Sequence, residues 1–229
     1  MQSLLLPDGP LSVLALGAHP DDIEIGCGAT LARLAERPAM TFAALVLTGR
    51  TDRVAESQAA LDAFTGKVDA TFLDLPDGRL PSRWGEAKQA LEDQARSSRA
   101  DVVLAPRVDD AHQDHRLLGR LATTVWRDSL VLHYEIPKWD GDLGQPTHYV
   151  GLTEGQGRRK VDLLNRHFPS QRSRDWWDDE LFLGLMRIRG VECRRRYAEA
   201  FFAGKVLVDV VGTPADRASD VPYDQGAPS

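Results

Sequence analysis

Short apolar runs alternate with segments of helical periodicity along most of this chain, and that alternation restricts the fold more than any other feature. Leu11 to Gly17 is rich in Leu and Val and ends in a glycine before a polar cluster, the pattern of a buried strand entering a loop. Beyond a Gly26-Cys27-Gly28 turn, Leu31, Leu34 and Ala35 recur at helical spacing, and Pro38 stops the segment before a second strand over Thr41 to Leu47. The unit then repeats. Helices are expected at Arg53 to Phe64, Glu86 to Arg96 and His115 to Trp126, and strands at Thr71 to Leu75, Val102 to Ala105 and Leu130 to Tyr134. The result is an α/β chain with a Rossmann-like, three-layer α/β/α architecture and a mainly parallel sheet covered on both faces. After Glu135 the regularity weakens. An extended segment is expected near Thr147 to Leu152, helices over Glu154 to Asn165 and Asp179 to Arg189, and a late strand near Ala198 to Val208. Residues 1–211 are expected to form one domain, and 212–229, nearly free of large apolar side chains, a loose tail.

The 229 residues are 42% hydrophobic and 27% charged, enough to bury a sizeable core. A formal net charge of -6 supplies no basic field for a nucleic-acid backbone or an anionic membrane surface. No apolar run approaches the roughly 20 residues of a membrane-spanning helix, and the first ten residues lack the basic, then apolar, pattern of a signal peptide. With only two cysteines, Cys27 and Cys193, a disulfide framework is not indicated, and a reducing cytoplasm is the expected location.

In open parallel sheets, functional groups gather in the crevice at the carboxyl ends of the strands. Two polar clusters occupy such positions: Ala18-His19-Pro20-Asp21-Asp22-Ile23-Glu24 after the first strand, and Asp109-Asp110-Ala111-His112-Gln113-Asp114-His115 after the Val102 strand. Zinc takes imidazole nitrogen and carboxylate oxygen, and a catalytic site uses about three protein ligands and leaves one position for water. His19 and Asp22 are close enough to bind from one loop, and His115 can close the site from a neighbouring strand end. Two imidazoles and a carboxylate also suit ferrous iron.

The stretch AHPDDIEIGCGATL, with HQDH downstream, resembles the signature of the LmbE-like, or PIG-L, family of zinc-dependent N-deacetylases. Further family-like stretches are LTGR with Arg53 and Glu56, FLDLPDGRL, Lys160 leading to Ser170-Gln171, and RYAEAF, so that the resemblance spans Leu11 to Phe202. Ala29 stands where the family commonly has glycine. The resemblance implies metal ligands at His19, Asp22 and His115, a general base at Asp21, and a histidine at His112 that supports the transition state. A protonated His112 would stabilise negative charge on the former carbonyl oxygen, and Asp114 is assigned to orient it. Arg50, Arg53 and Asp77 follow the second and third strands and are expected to contact substrate hydroxyls. The implied reaction is removal of an acetyl or other acyl group from the nitrogen of an amino sugar or glycoconjugate, with one divalent metal, most simply Zn2+ with Fe2+ as the other choice, and a small-molecule substrate as partner. A homo-oligomer is compatible with the sequence.

Plainer readings stand beside these. His-Pro-Asp-Asp alone makes a good turn, because proline fixes φ and aspartate caps the following helix. Glu24 is expected to order the loop through backbone amides, Cys27 to be a small buried residue, and His133 to line the pocket or serve the core. Trp84, Trp139, Trp176 and Trp177 are core candidates that could also stack on a sugar. Arg158, Arg159, Lys160, Arg172, Arg174 and the run Arg194 to Arg196 form a solvated basic face or a phosphate site. Two other functions compete: a metal-dependent phosphoesterase, for which a second set of metal ligands is wanting, and a noncatalytic ligand-binding protein, against which the retained Asp21 and the complete His112 to His115 group argue.

Overall fold

The structure is a computed structural model and describes residues 2–49 and 51–208. Seven strands form one sheet: β1 (Leu11–Gly17), β2 (Met40–Thr48), β3 (Asp69–Leu75), β4 (Val102–Pro106), β5 (Leu130–Tyr134), β6 (His148–Leu152) and β7 (Tyr197–Phe202). Their order is β3-β2-β1-β4-β5-β7-β6. β1 to β5 run parallel, and β7 is antiparallel to both β5 and β6.

The central strands are largely apolar because both of their faces are covered. Val13 and Ala15 of β1, Ala44 and Val46 of β2, and Val102 and Leu104 of β4 enter one core. Their alternates Leu14, Leu16, Leu45, Leu47, Val103 and Ala105 enter the other, as the period of two in a strand requires. Helices α1 (Asp22–Ala35), α2 (Thr51–Thr65), α5 (Glu154–His167) and α6 (Asp179–Glu192) pack together, while α3 (Trp84–Ser97) packs against α4 (Gln113–Val125) and a 3-10 turn over Leu80–Arg83. The strand order reverses between β1 and β4, so the loops leaving these two strands open onto a common crevice.

Two sequence expectations need correction. Gly26-Cys27-Gly28 is not a turn before α1 but lies within it, where Cys27 departs from helical geometry at φ -144°, ψ 17° and kinks the axis. Close packing explains the glycines: a β-carbon on Gly26 would stand 2.1 Å from the Tyr134 ring, and one on Gly28 2.8 Å from Phe64. The final strand stops at Phe202, where its pairing with β5 and β6 ends, and the apolar Val206-Leu207-Val208 is exposed instead of paired. The tail expected over 212–229 lies outside the described residues.

Candidate active site

The loop after β1 folds back on itself through Asp22. Its Oδ2 accepts from the backbone N–H groups of Ala18 at 2.9 Å and His19 at 2.8 Å, which fixes the carboxylate at the foot of α1. From the β4 side, α4 begins at Gln113 with His112 as its N-cap residue, so that His115 emerges in the first turn.

Two imidazole nitrogens and the two oxygens of one carboxylate thereby converge. His19 Nδ1 lies 3.2 Å from His115 Nε2 and 3.5 Å from Asp22 Oδ2, and His115 Nε2 lies 3.2 Å from Asp22 Oδ1. Ligands about 2.0–2.1 Å from a tetrahedral zinc ion stand about 3.3–3.4 Å from one another, and the separations in this triangle of His19, His115 and the Asp22 carboxylate, whose Oδ2 faces His19 and Oδ1 faces His115, are of that size. The electrostatics agree with a cation there. Burial opposes charge on His19, yet Asp22, Asp114 and Asp77 outweigh it and raise its pKa to about 12. Burial likewise opposes charge on His115, and Asp22 and Asp110 outweigh it to give about 9. Asp22, although buried, is held well below the usual carboxylate range by His115 and His19. The surroundings of the two imidazoles demand positive charge, which a metal ion or protons can supply. The donor set fits a divalent metal.

Carboxylates support both imidazoles from behind. Asp77 Oδ1 lies 3.0 Å and Asp114 Oδ2 3.3 Å from His19 Nε2. Asp114 is itself fixed by the N–H groups of Gly78 at 2.7 Å and Leu80 at 3.0 Å. Asp110 Oδ1 stands 3.3 Å from His115 Nδ1, at ion-pair distance but not aligned as a hydrogen bond, and also takes Lys138 Nζ at 3.0 Å and the His112 N–H at 2.8 Å. Such partners orient the imidazoles of metal sites. Among the described residues two further groups fall within metal-binding range: His19 with His112 and His115, and His19 with Asp77 and Asp114, although in the second His19 Nε2 faces away from the triangle and Asp114 already holds two amides.

The expected pairing of Asp114 with His112 is not formed, because the carboxylate is turned to His19 and the two amides. Instead the Asp114 backbone N–H donates to His112 Nδ1 at 3.3 Å. A neutral His112 therefore carries its proton on Nε2, and burial together with His115 and His19 lowers its pKa. Burial and the two neighbouring imidazoles thus work against the protonated His112 expected from the sequence. Its ring centroid lies 4.5 Å from that of His115 and 5.0 Å from that of His19.

Asp21 sits beside the triangle at φ 104°, a left-handed conformation uncommon outside glycine. Burial raises its pKa and the neighbouring Arg53 pulls it down, leaving it at about 7. Arg53 Nη2 donates to Asp21 Oδ2 at 2.7 Å and also reaches the Pro20 carbonyl. Two expected substrate contacts, Arg53 and Asp77, are thus already engaged with site residues, while Arg50 lies outside the described residues. Ser57 Oγ donates to Glu24 Oε1 at 2.5 Å, and burial raises the Glu24 pKa to about 8 against the lowering effect of that hydroxyl and of the residue's own backbone amide. Cys27 is buried and donates to the Ile23 carbonyl, and burial lifts its thiol pKa well above the ordinary value. His133 Nδ1 binds the Pro106 carbonyl oxygen at 2.7 Å. Of the four candidate tryptophans Trp177 is core and Trp176 packs against it, whereas Trp84 and Trp139 are exposed. Sequence reasoning missed Asp110 as a support; its position two residues before the N-cap of a helix bearing His115 was the available signal.

A doubly wound sheet whose strand-order reversal gathers two imidazoles and a carboxylate at ligand spacing defines the class as a Rossmann-like fold of the LmbE type with a metal-capable mouth. Residues 14–126 match the family described as PIG-L, GlcNAc-PI de-N-acetylase. The protein described as uncharacterized deacetylase YaiS from Escherichia coli K12 is 36% identical over 168 residues, covering 68% of this chain and 89% of that protein. The chain belongs to the PIG-L family of deacetylases.

Solved structures extend the likeness of fold. The conserved protein TT1542 from Thermus thermophilus superposes with a TM-score of 0.70 at 23% identity, covering 87% of this chain and 97% of that one. The N,N'-diacetylchitobiose deacetylase from Pyrococcus horikoshii does so with 0.65 at 18% identity, covering 93% and 87%. GalB, the 4-carboxy-2-hydroxymuconate hydratase from Pseudomonas putida KT2440, reaches 0.70 at 18% identity, covering 87% and 98%, so the fold by itself does not name the reaction. Among the described residues no helix is long and apolar enough to cross a membrane.

Proposed function

We propose that this protein is a zinc-dependent N-deacetylase that hydrolyses the N-acetyl group of an amino sugar or glycoconjugate in the cytoplasm. The observation that carries the proposal is the approach of His19 Nδ1 and His115 Nε2 to each other and to the two oxygens of the Asp22 carboxylate, at 3.2–3.5 Å, next to Asp21. These three residues would hold the ion. When bound, zinc supplies Lewis acidity, which polarises the amide carbonyl and makes a water acidic enough to attack near neutral pH.

The remaining steps belong to the chain's own groups. Asp21, adjacent to a ligand but engaged with Arg53, accepts the proton that water releases as it adds to the amide carbon. Arg53 fixes one carboxylate oxygen and opposes the burial that would otherwise keep Asp21 protonated. His112, with Nδ1 occupied by the Asp114 N–H, offers Nε2–H as a hydrogen-bond donor to the carbonyl oxygen as negative charge develops there. The proton held by Asp21 then passes to the departing nitrogen, and the C–N bond breaks to release acetate and the free amine. Asp114, Asp77 and Asp110 are positioning residues that orient His19 and His115. The amino-sugar assignment leans on the family description, GlcNAc-PI de-N-acetylase, and on the diacetylchitobiose deacetylase of similar fold. A phosphoesterase would need a second cation, and among the described residues both further groups of candidate ligands, His19 with His112 and His115 and His19 with Asp77 and Asp114, share His19 with the first site, which supports a single-metal reading.

The test is acetate release from a panel of N-acetylated amino sugars, glycosides and sugar nucleotides, with Asp21→Ala and chelated protein alongside. Release abolished by either treatment is expected. Release that survives Asp21→Ala undiminished would remove the proposed base, and an inactive protein that binds no zinc would overturn the site.

A further inference from the structure

The kink in α1 is filled by an ion pair from two distant elements. In an unbroken helix the N–H groups of Ala29 and Thr30 serve the carbonyls of Ile25 and Gly26. Here Ala29 N–H donates to Glu199 Oε1 at 3.0 Å and Thr30 N–H to Glu199 Oε2 at 2.6 Å, so one carboxylate from β7 caps the second half of the helix. Lys160 of α5 completes the exchange. Its Nζ donates to the Ile25 carbonyl and, at 2.6 Å, to Glu199 Oε1. Both side chains are buried, Lys160 with 4% and Glu199 with 4% of its surface exposed, and neither is used by the proposed chemistry. The basic-face reading of Lys160 therefore fails: its ammonium lies inside the protein, spliced into a broken helix.

The segment ahead of this splice bears the site. Asp22 to Gly26 make up little more than one turn, too short to hold a direction of its own as a helix. One flank of it rests on Tyr134, whose ring abuts Gly26 and whose hydroxyl donates to the Leu16 carbonyl at 2.6 Å, near the end of β1. Its far end is held by Lys160 and Glu199. A cavity of about 20 Å³ borders the pair, with Glu135 and Arg189 on its far wall, so the splice has little slack beyond room for one water.

We infer that Lys160 and Glu199 are positioning residues of the metal centre: by splinting the break in α1 they fix the angle of the short segment that aims the Asp22 carboxylate at His19 and His115. The inference rests on the metal-site reading above. Without the pair, the helix can close its own ladder by straightening, Ala29 N–H returning to the Ile25 carbonyl, and Asp22 would swing out of register with the two imidazoles.

The experiment measures Zn2+ affinity of the metal-free chain by competition with a chromogenic chelator, and the visible spectrum of the Co2+ form, for wild type, Glu199→Gln and the double variant Lys160→Met/Glu199→Leu. Circular dichroism and thermal melting of the metal-free forms report folding. The double variant is expected to melt cooperatively while binding Zn2+ about 10- to 100-fold more weakly, with an altered Co2+ band. Glu199→Gln retains one acceptor and should fall between the two. A folded double variant with wild-type affinity and spectrum overturns the inference and leaves the metal site standing. If the double variant does not fold, Glu199→Gln decides alone, wild-type affinity and spectrum there counting against positioning. Failure of the wild type itself to bind Zn2+ overturns the metal-site reading and this inference with it.

Discussion

Asp21 combines a left-handed backbone at φ 104° with a buried carboxylate whose pKa is raised from 3.8 to about 7, so it is held at a cost in stability. The sign follows from linkage. A raised folded-state pKa means that the folded protein binds the proton more tightly than the unfolded chain, and stability present below the unfolded pKa is lost as pH rises through the folded one. Asp21→Asn removes the titrating group while keeping an acceptor for Arg53 and a residue type that tolerates positive φ. In metal-free protein the variant should match wild type near pH 4, gain through pH 4 to 7 and level off above, by at most about 4 kcal/mol for a shift of this size. Melting of chelated wild type and variant across pH 4 to 9 checks this, and an advantage independent of pH would show that burial of charge is not its source. The residue types at the site were legible because the chemistry demands them: His19, Asp22 and His115 come together at ligand spacing. Partner choice was not legible. Asp114 faces His19 instead of His112 because the 3-10 turn after β3 brings the Gly78 and Leu80 amides to it, a tertiary fact that no local spacing encodes.

At the scale of elements, the strands with two covered faces were the most readable, since β1 from Val13 to Leu16 and β4 carry apolar runs whose alternate residues serve two cores. The errors fell where local pattern and tertiary context part. Gly-Cys-Gly reads locally as a turn, yet these residues continue a helix because Tyr134, Phe64, Lys160 and Glu199 close around them. Val206 to Val208 reads as strand, yet is exposed and pairs with no strand among the described residues. A comparison of two helix glycines separates packing from propensity. Gly184 of α6 has nothing within 4 Å of an added β-carbon, so Gly184→Ala should stabilise by about 0.5–1 kcal/mol. Gly26→Ala gains the same propensity but drives a methyl into the Tyr134 ring, and should destabilise by about 1–3 kcal/mol. Denaturant midpoints of the two variants read the difference directly; equal shifts would mean that the Tyr134 ring yields without cost and does not brace the first turn of α1.

For the whole molecule, the question is whether the metal builds the fold or only occupies it. The sheet is sandwiched between two apolar cores made without any site residue, and the site's side chains are tied down by bonds that need no ion: Asp22 to the Ala18 and His19 amides, Asp114 to those of Gly78 and Leu80, and Asp110 to that of His112. A structural zinc, by contrast, supplies folding energy that the apo chain lacks, and its removal unfolds the domain. The prediction here is a retained fold with a smaller melting temperature. At free Zn2+ near 100 times Kd, binding adds about 2.7 kcal/mol, which for a chain of this size is roughly 5–11 °C. Chelation should therefore lower Tm by that amount and leave the far-ultraviolet circular dichroism and the cooperativity of melting unchanged. The drop should also vanish in a His19→Ala/His115→Ala variant, which lacks two of the three donors. A chelated wild type already unfolded at 25 °C would make the ion part of the architecture, and the preorganised triangle would then be a consequence of metal binding instead of the reason for it.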